Sequence, residues 1–204
     1  MAAAYDALVE HPRLAKLWPE YLVQQHQIIR ATVPLTDAAL ARSRELALDD
    51  ADPLAAPLAA YLEEHVGEEL GHDETLLDDL ELLGLERADV LRRIPAPTVA
   101  ALVGSQYYWI LHHHPVTFLG FVALMEGFPP TPELIETLLE RTGFPREAFR
   151  TYVEHADLDP GHRDHLDRTL DSLPLTAEDE AAVGVSAIAS AALAARALDE
   201  LLDA

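Results

Sequence analysis

The chain has no cysteine, and Lys16 is its only lysine among 204 residues. Without cysteine there is no disulfide, no thiolate-held zinc or iron–sulfur site and no thiol nucleophile. Only 14 basic residues stand against 36 acidic ones, for a net charge of −22. No basic cluster is available to follow a phosphate backbone, so no nucleic-acid partner is expected, and an anionic membrane surface is disfavoured for the same reason. No stretch reads as the roughly eighteen apolar residues of a membrane span. Pro12, Arg13 and Lys16 interrupt the first apolar run, which therefore does not read as a signal peptide. These absences fit a cytoplasmic protein and predict no membrane partner. Alternating strand patterns and internal repeats are missing too.

What is present is a chain half apolar by composition, long enough for one domain, residues 1–204, with a real core. Apolar residues recur with helical spacing almost throughout, so the expected fold class is all-α, with about eight helices. After one or two helical turns in residues 1–17, a helix is predicted over Trp18–Val33, with Pro19 in its first turn and Pro34 ending it. Thr36-Asp37 can cap a helix running to about Leu48. One long helix is predicted from about Leu54 to Leu83, stopped by Gly84. Thr98 can cap a long apolar helix, which Pro115 must kink or split. Pro132–Thr142, Pro145 to about Leu158, a further helix through Leu173 and a last helix opened by Thr176-Ala-Glu-Asp complete the reading.

The stretch YLEEHVGEELGHDETLLDDLELLG, residues 61–84, carries the chemistry. Glu69 and His72 are three apart and would share one side of a continuous helix. A carboxylate and an imidazole so placed can grip one transition-metal ion, as in helix-bundle di-iron sites. His65 can share that side, and Glu68 competes with Glu69 for the carboxylate role. Two places downstream could supply partners. Glu126 ends the apolar run FVALMEG, where a carboxylate must find a partner, take a proton or reach water. In HADLDPGH, His155, Asp159 and His162 recur at spacings of four and three. Pro160 distorts that helix and leaves His165 as a replacement for His162. The candidate metal set is Glu69, His72, Glu126, His155, Asp159 and His162, with His65, Glu68 and His165 as further ligands or their hydrogen-bond partners. Such a mixed nitrogen and oxygen set suits iron or manganese.

HVGEELGHDETLLDDLELLG, then Glu126, then the H-x-x-x-D-x-x-H of residues 155–162, in that order, resembles the haem-oxygenase-like di-metal oxidases, also described as iron-containing redox enzymes. EHPRLAKLWPEYLVQQHQIIRATVPL is similar to their N-terminal helices. The resemblance implies a haem-oxygenase-like bundle of about seven to eight helices. It also implies a non-haem site of two iron ions, with manganese an alternative for one of them. That site would reduce O₂ as co-substrate and oxidise a small organic molecule, by N-oxygenation, oxidative decarboxylation or C–C cleavage, or desaturation. It implies a mobile third metal-bearing helix, consistent with Pro160-Gly161.

Tyr108, His112, Leu119, Val122 and Tyr152 are expected as walls of the substrate pocket. The successive His112, His113 and His114 point in different directions on a helix and do not make a metal cluster. A small-molecule substrate is the expected partner, and a homodimer is left open. Two alternatives compete: a non-catalytic metal-binding helical protein, and a haem oxygenase with His26 as proximal ligand. The lone lysine and the carboxylate set argue against haem. The missing cysteine argues against a thiaminase-like enzyme of the same fold, which relies on that nucleophile.

Overall fold

Residues 2–49 and 51–203 are described by the structure, a computed structural model. They form helices α1 (Ala2–Val9), α2 (Leu14–Ile29), α3 (Thr32–Leu46), α4 (Ala55–Glu69), α5 (His72–Leu82), α6 (Arg87–Arg92), α7 (Pro97–His112), α8 (Leu119–Glu126), α9 (Pro132–Thr142), α10 (Arg150–Ser172) and α11 (Ala177–Leu202). Single 3₁₀ turns at Pro115–Phe118 and Arg146–Phe149 lead into α8 and α10. No strand occurs among the described residues.

Several punctuation marks act as expected. Gly84, at φ 88°, lets Leu85 N–H reach the Leu80 carbonyl and its own N–H reach Glu81, the paired bonds of a Schellman stop. Thr176 and Asp179 close a reciprocal capping box on α11, satisfying two donors at its first turn. Pro115 splits the apolar helix into α7 and α8, because it has no N–H to give the preceding turn.

Other boundaries fall elsewhere. The long helix expected over Leu54–Leu83 is two helices, broken at Leu70-Gly71, where Leu70 is extended (ψ 121°) and Gly71 takes φ 92°. Only glycine adopts that backbone readily, which is why the break falls there. The two helices expected between Pro145 and Leu173 are instead the single helix α10, which carries Pro160 inside it. Pro34 does not end α2. It sits in the first turn of α3, where a missing N–H leaves nothing unpaired. Thr36 and Thr98 are not caps: Thr36 donates to the Thr32 carbonyl at 2.8 Å and Thr98 to Glu200 at 2.7 Å. By length and composition α11 is apolar enough to cross a membrane, contrary to the expectation from sequence. It packs on α7, α8 and α1, and its alanine-rich body permits close helix contacts.

Two apolar clusters meet around the middle of the bundle. One joins α3, α4, α7 and α8 through Leu35, Leu58, Leu62, Leu102 and Phe121. The other joins α1, α2, α5 and the turn before α10 through Leu8, Trp18, Leu22, Leu76 and Phe149. Alpha-8 lies directly against α11. A Cβ added at Gly120 would stand 2.7 Å from the Ala187 backbone nitrogen and closer still to the Val183 carbonyl. Backbone cannot move aside as a flexible side chain can, so Gly120→Ala is expected to cost about 1–3 kcal/mol or more. Urea denaturation would show this as a lower midpoint with unchanged slope, and a wild-type midpoint would contradict this packing.

Candidate metal centre

The break at Gly71 decides how the first pair of candidate ligands is presented. Glu69 is the last residue of α4 and His72 the first of α5, so they do not share a helical face. They still meet across the turn, with His72 Nδ1 3.6 Å from Glu69 Oε2. Alpha-8 brings Glu126 at its C-terminal end, and α10 brings His155, Asp159 and His162.

Glu126 is buried, and both of its oxygens lack a hydrogen-bond partner among the described residues. Its neighbours stand slightly too far away: His65 Nδ1 at 3.5 Å and His162 Nδ1 at 4.0 Å. His65 is buried on α4, 3.3 Å from Glu68 and stacked on Tyr61 at 5.5 Å. Donor atoms of His65, Glu69 and Glu126 all lie within 4.8 Å of one another. Beside them is a second grouping. The His72 and His155 rings are 4.7 Å apart, Asp159 is buried and feels both of them, and His72 Nδ1 has no hydrogen-bond partner. Separations of 3.5–4.0 Å exceed a hydrogen bond. They match two donors that each sit about 2.1 Å from one shared cation. The residues present therefore fit a metal ion, by the spacing and by the orphaned atoms alike.

Burial pushes Glu126 up to about 8, and the carboxylates of Glu69, Glu68 and Asp159 add to that rise while His65 opposes it. Burial also raises Asp159, to about 6. Glu69 goes the other way: burial would raise it, but His72, His65 and the Thr32 hydroxyl hold it down at about 2. Burial disfavours the imidazolium of His65, yet the surrounding carboxylates leave its pKa raised. A buried carboxyl raised as Glu126 is carries a proton at neutral pH, which an incoming cation would displace.

Three residues that sequence reasoning did not single out hold the ligands in place. The Thr32 hydroxyl, at the start of α3, lies 3.0 Å from Glu69 Oε2. His155 Nδ1 donates to the Thr151 carbonyl at 2.7 Å, which leaves its Nε2 free to ligate. Thr151 N–H in turn donates to Asp79 Oδ2 at 2.8 Å, so a carboxylate from α5 sits at the N-terminal end of α10. Such a group satisfies an orphan donor and complements the helix dipole. In the sequence Asp79 stands among the acids of LLDDLELLG and carries no local sign of this role.

His165 lies 3.5 Å from Glu64 and 3.5 Å from Glu68, on the Glu68 side of the cluster, while His162 is the one that approaches Glu126. A cavity of about 380 Å³ opens on His65, Glu69, Glu126, His155 and Asp159. Val122 and Tyr152 line it as expected. Tyr108, His112 and Leu119 do not. Tyr108 is 59 % exposed and lies tilted beside the exposed His112 at the outer face of α7, while Leu119 is spent in helix packing. His26, the candidate haem ligand, is fully buried outside this cavity. No lysine or arginine lines the cavity among the described residues.

The profile of a family described as iron-containing redox enzymes matches residues 20–197. No curated protein matches the chain. A protein from Shewanella denitrificans OS217, described as a domain of unknown function with a heme oxygenase-like fold, superposes with a TM-score of 0.82 at 20 % identity, over 98 % of this chain and 83 % of that one. A TenA homolog from Pseudomonas syringae pv. tomato str. DC3000 superposes with a TM-score of 0.72 at 13 % identity, over 100 % of this chain and 89 % of that one. At these identities the two structures establish the fold.

Replacing Asp79 by alanine would leave the Thr151 N–H without its acceptor. Asp79→Ala is expected to destabilise the metal-free protein by about 0.5–2 kcal/mol and to raise hydrogen exchange at the start of α10 relative to α11. Unchanged exchange there would remove Asp79 from this role. On the match across residues 20–197, and on the heme oxygenase-like fold, the chain belongs to the iron-containing redox enzyme family.

Proposed function

We propose that the protein is a non-haem, O₂-dependent oxidoreductase that holds two iron ions, with an iron–manganese pair as the variant form, and acts on a small organic substrate. The observation that carries this reading is Glu126, buried with both oxygens unpaired between His65 and His162. A carboxylate so placed is costly unless a proton or a cation compensates it. Two groupings of donors support two ions. His65, Glu68, Glu126 and His162 surround one position. To a second position we assign Glu69, His72, His155 and Asp159, on the 3.6 Å approach of His72 to Glu69 and the 4.7 Å spacing of the His72 and His155 rings; Glu69, which also closes with His65 and Glu126 to within 4.8 Å, would be shared.

Bound iron would supply the electrons that reduce O₂ and the oxidising power delivered to the substrate. The protein's own contributions can be stated residue by residue. Glu69 is anionic at any working pH and marks one position with fixed negative charge. His155 presents Nε2 because its Nδ1 proton is spent on the Thr151 carbonyl. Glu126 has to give up its proton to the medium when a cation arrives, because His65, 3.5 Å away, must stay neutral to ligate the same ion. Phe118, Phe121, Val122 and Met125 line the cavity beside this cluster, excluding bulk water and offering apolar surface to a substrate carbon skeleton. That cavity favours catalysis over simple metal storage. Its lack of basic residues disfavours haem, whose propionates need them.

Anaerobic ferrous titration is expected to bind about two ions per chain, and Glu126→Ala to lose at least one of them. Oxygen consumption on exposure to air should fall with the ions. Protein that retains no iron after loading would sink this reading, and tight binding without any reaction with O₂ would convert it to storage. The pH dependence follows from the raised carboxyls. Asp159 and Glu126, at about 6 and about 8, must be deprotonated to ligate, so loading near pH 7 should release protons and ferrous affinity should rise from pH 6 to 8. Calorimetry in buffers of different ionisation enthalpy measures that release, and its absence would remove Glu126 from the ligand set.

A further inference from the structure

The cavity that meets the cluster has a second polar place. Tyr5 of α1, Tyr21 of α2 and Tyr152 of α10 bring their hydroxyls together on its wall. Tyr5 O–H donates to Tyr152 at 3.3 Å, and the Tyr21 ring packs edge-on against Tyr5 beside them. The rings are fixed by packing: Tyr5 on Tyr21 at 5.8 Å, and Trp18 on Tyr21 at 5.3 Å and on Tyr152 at 5.1 Å. Three hydroxyls carry three protons, and the contact between Tyr5 and Tyr152 uses one of them. At least one O–H donor is therefore left over to face the cavity, on a wall that also carries Asp6, Gln24 and Gln25 among its apolar residues. Burial holds the tyrosines above their usual pKa, Tyr21 at about 12, so they act as neutral donors.

Tyr152 lies on the same face of α10 as His155 and Asp159, three and seven residues before them. Along a helix that is about 5–10 Å. The lining is mostly apolar, including Leu22, Ile28, Phe118 and Leu198, with Gln24 and Gln25 also on it, and no lysine or arginine among the described residues could hold an anion.

We propose that the hydroxyl cluster of Tyr5, Tyr21 and Tyr152 is the subsite that anchors the substrate, and that it selects an uncharged acceptor oxygen (a ketone, ester or amide carbonyl) on an aliphatic skeleton whose other end reaches the carboxylate–imidazole cluster. The assignment of the reacting end rests on the metal reading given above; the anchoring subsite does not. An aliphatic carboxylate would accept the same hydrogen bond but would have to be desolvated with no cation to compensate it, which disfavours it at the tyrosine end.

Trp18 touches the subsite, so its fluorescence reports occupancy, and Trp109→Phe leaves it as the sole indole. In that background the full chain is titrated with 2-octanone, with its isostere 2-methyl-1-octene and with octanoate, both with chelator and after anaerobic ferrous loading. The ketone is expected to bind about 5–10-fold more tightly than the alkene in both states, the gain of one neutral hydrogen bond. Without metal it should also exceed octanoate. The Tyr5→Phe/Tyr21→Phe/Tyr152→Phe protein should lose the ketone preference. Single Tyr5→Phe should keep it, since one proton is then still unspent, and this serves if the triple variant does not fold. Equal affinity for ketone and alkene, preference for octanoate with chelator present, or a ketone preference that survives the triple substitution would each overturn the proposal. Because the chelator arm contains no metal, those results leave the metal reading untouched, and failure to load iron leaves the subsite untouched.

Discussion

A carboxylate with neither oxygen paired, enclosed by an apolar helical bundle, is the constraint on which the rest of this structure turns. Glu126 follows FVALM, a run with no polar side chain, and the close backbone contact of Gly120 with α11 fixes α8 where that carboxylate cannot reach bulk water. Such a group must hold a proton or a cation. The imidazoles around it stand just beyond hydrogen-bonding distance, so the polypeptide leaves the debt unsettled. That is the arrangement expected of residues whose best partner is an ion they share.

The surrounding elements place that shared position with unequal rigidity. Glu69 and His72 flank a glycine-marked break between α4 and α5, so the pair is held by tertiary packing and by Thr32, and a regular helical turn is not what positions it. Alpha-10 carries three candidate donors through Pro160, which deprives the Ala156 carbonyl of its helical donor. Its start is tied to α5 by the Asp79–Thr151 contact, and the same Thr151 fixes the ring of His155. The cavity then runs from this charged cluster along α10 to a neutral group of tyrosine hydroxyls. One end suits cations and the other uncharged acceptors, in a mostly apolar lining.

Much of this was legible in the sequence. Helical periodicity gave the all-α class. The order of Glu69, His72, Glu126, His155, Asp159 and His162 pointed to the family to which the chain belongs, and those residues converge on one region of the bundle. What could not be read came from long-range packing. His65 looked peripheral beside Glu69 and His72, yet it is the nearest imidazole to Glu126. Gly71 was hidden inside a strongly helical stretch, because one glycine is compatible with a helix and only the tertiary fold chose its left-handed conformation. Tyr108 and His112 sat in an apolar run that resembled a cavity wall, but α7 turns them outward. Asp79 and the tyrosine cluster join residues far apart in sequence, which no local pattern can announce.

The central claim is that the helix ends around Glu126 form a site for two shared cations. The most direct measurement is a crystal structure of protein loaded anaerobically with ferrous iron, with diffraction data collected on both sides of the iron absorption edge. The account predicts two anomalous peaks among α4, α5, α8 and α10, with Glu126 and Glu69 at or between them and His65, His72, His155 and His162 on the outside. An anomalous map without a peak there, from crystals shown by fluorescence to contain iron, would contradict it.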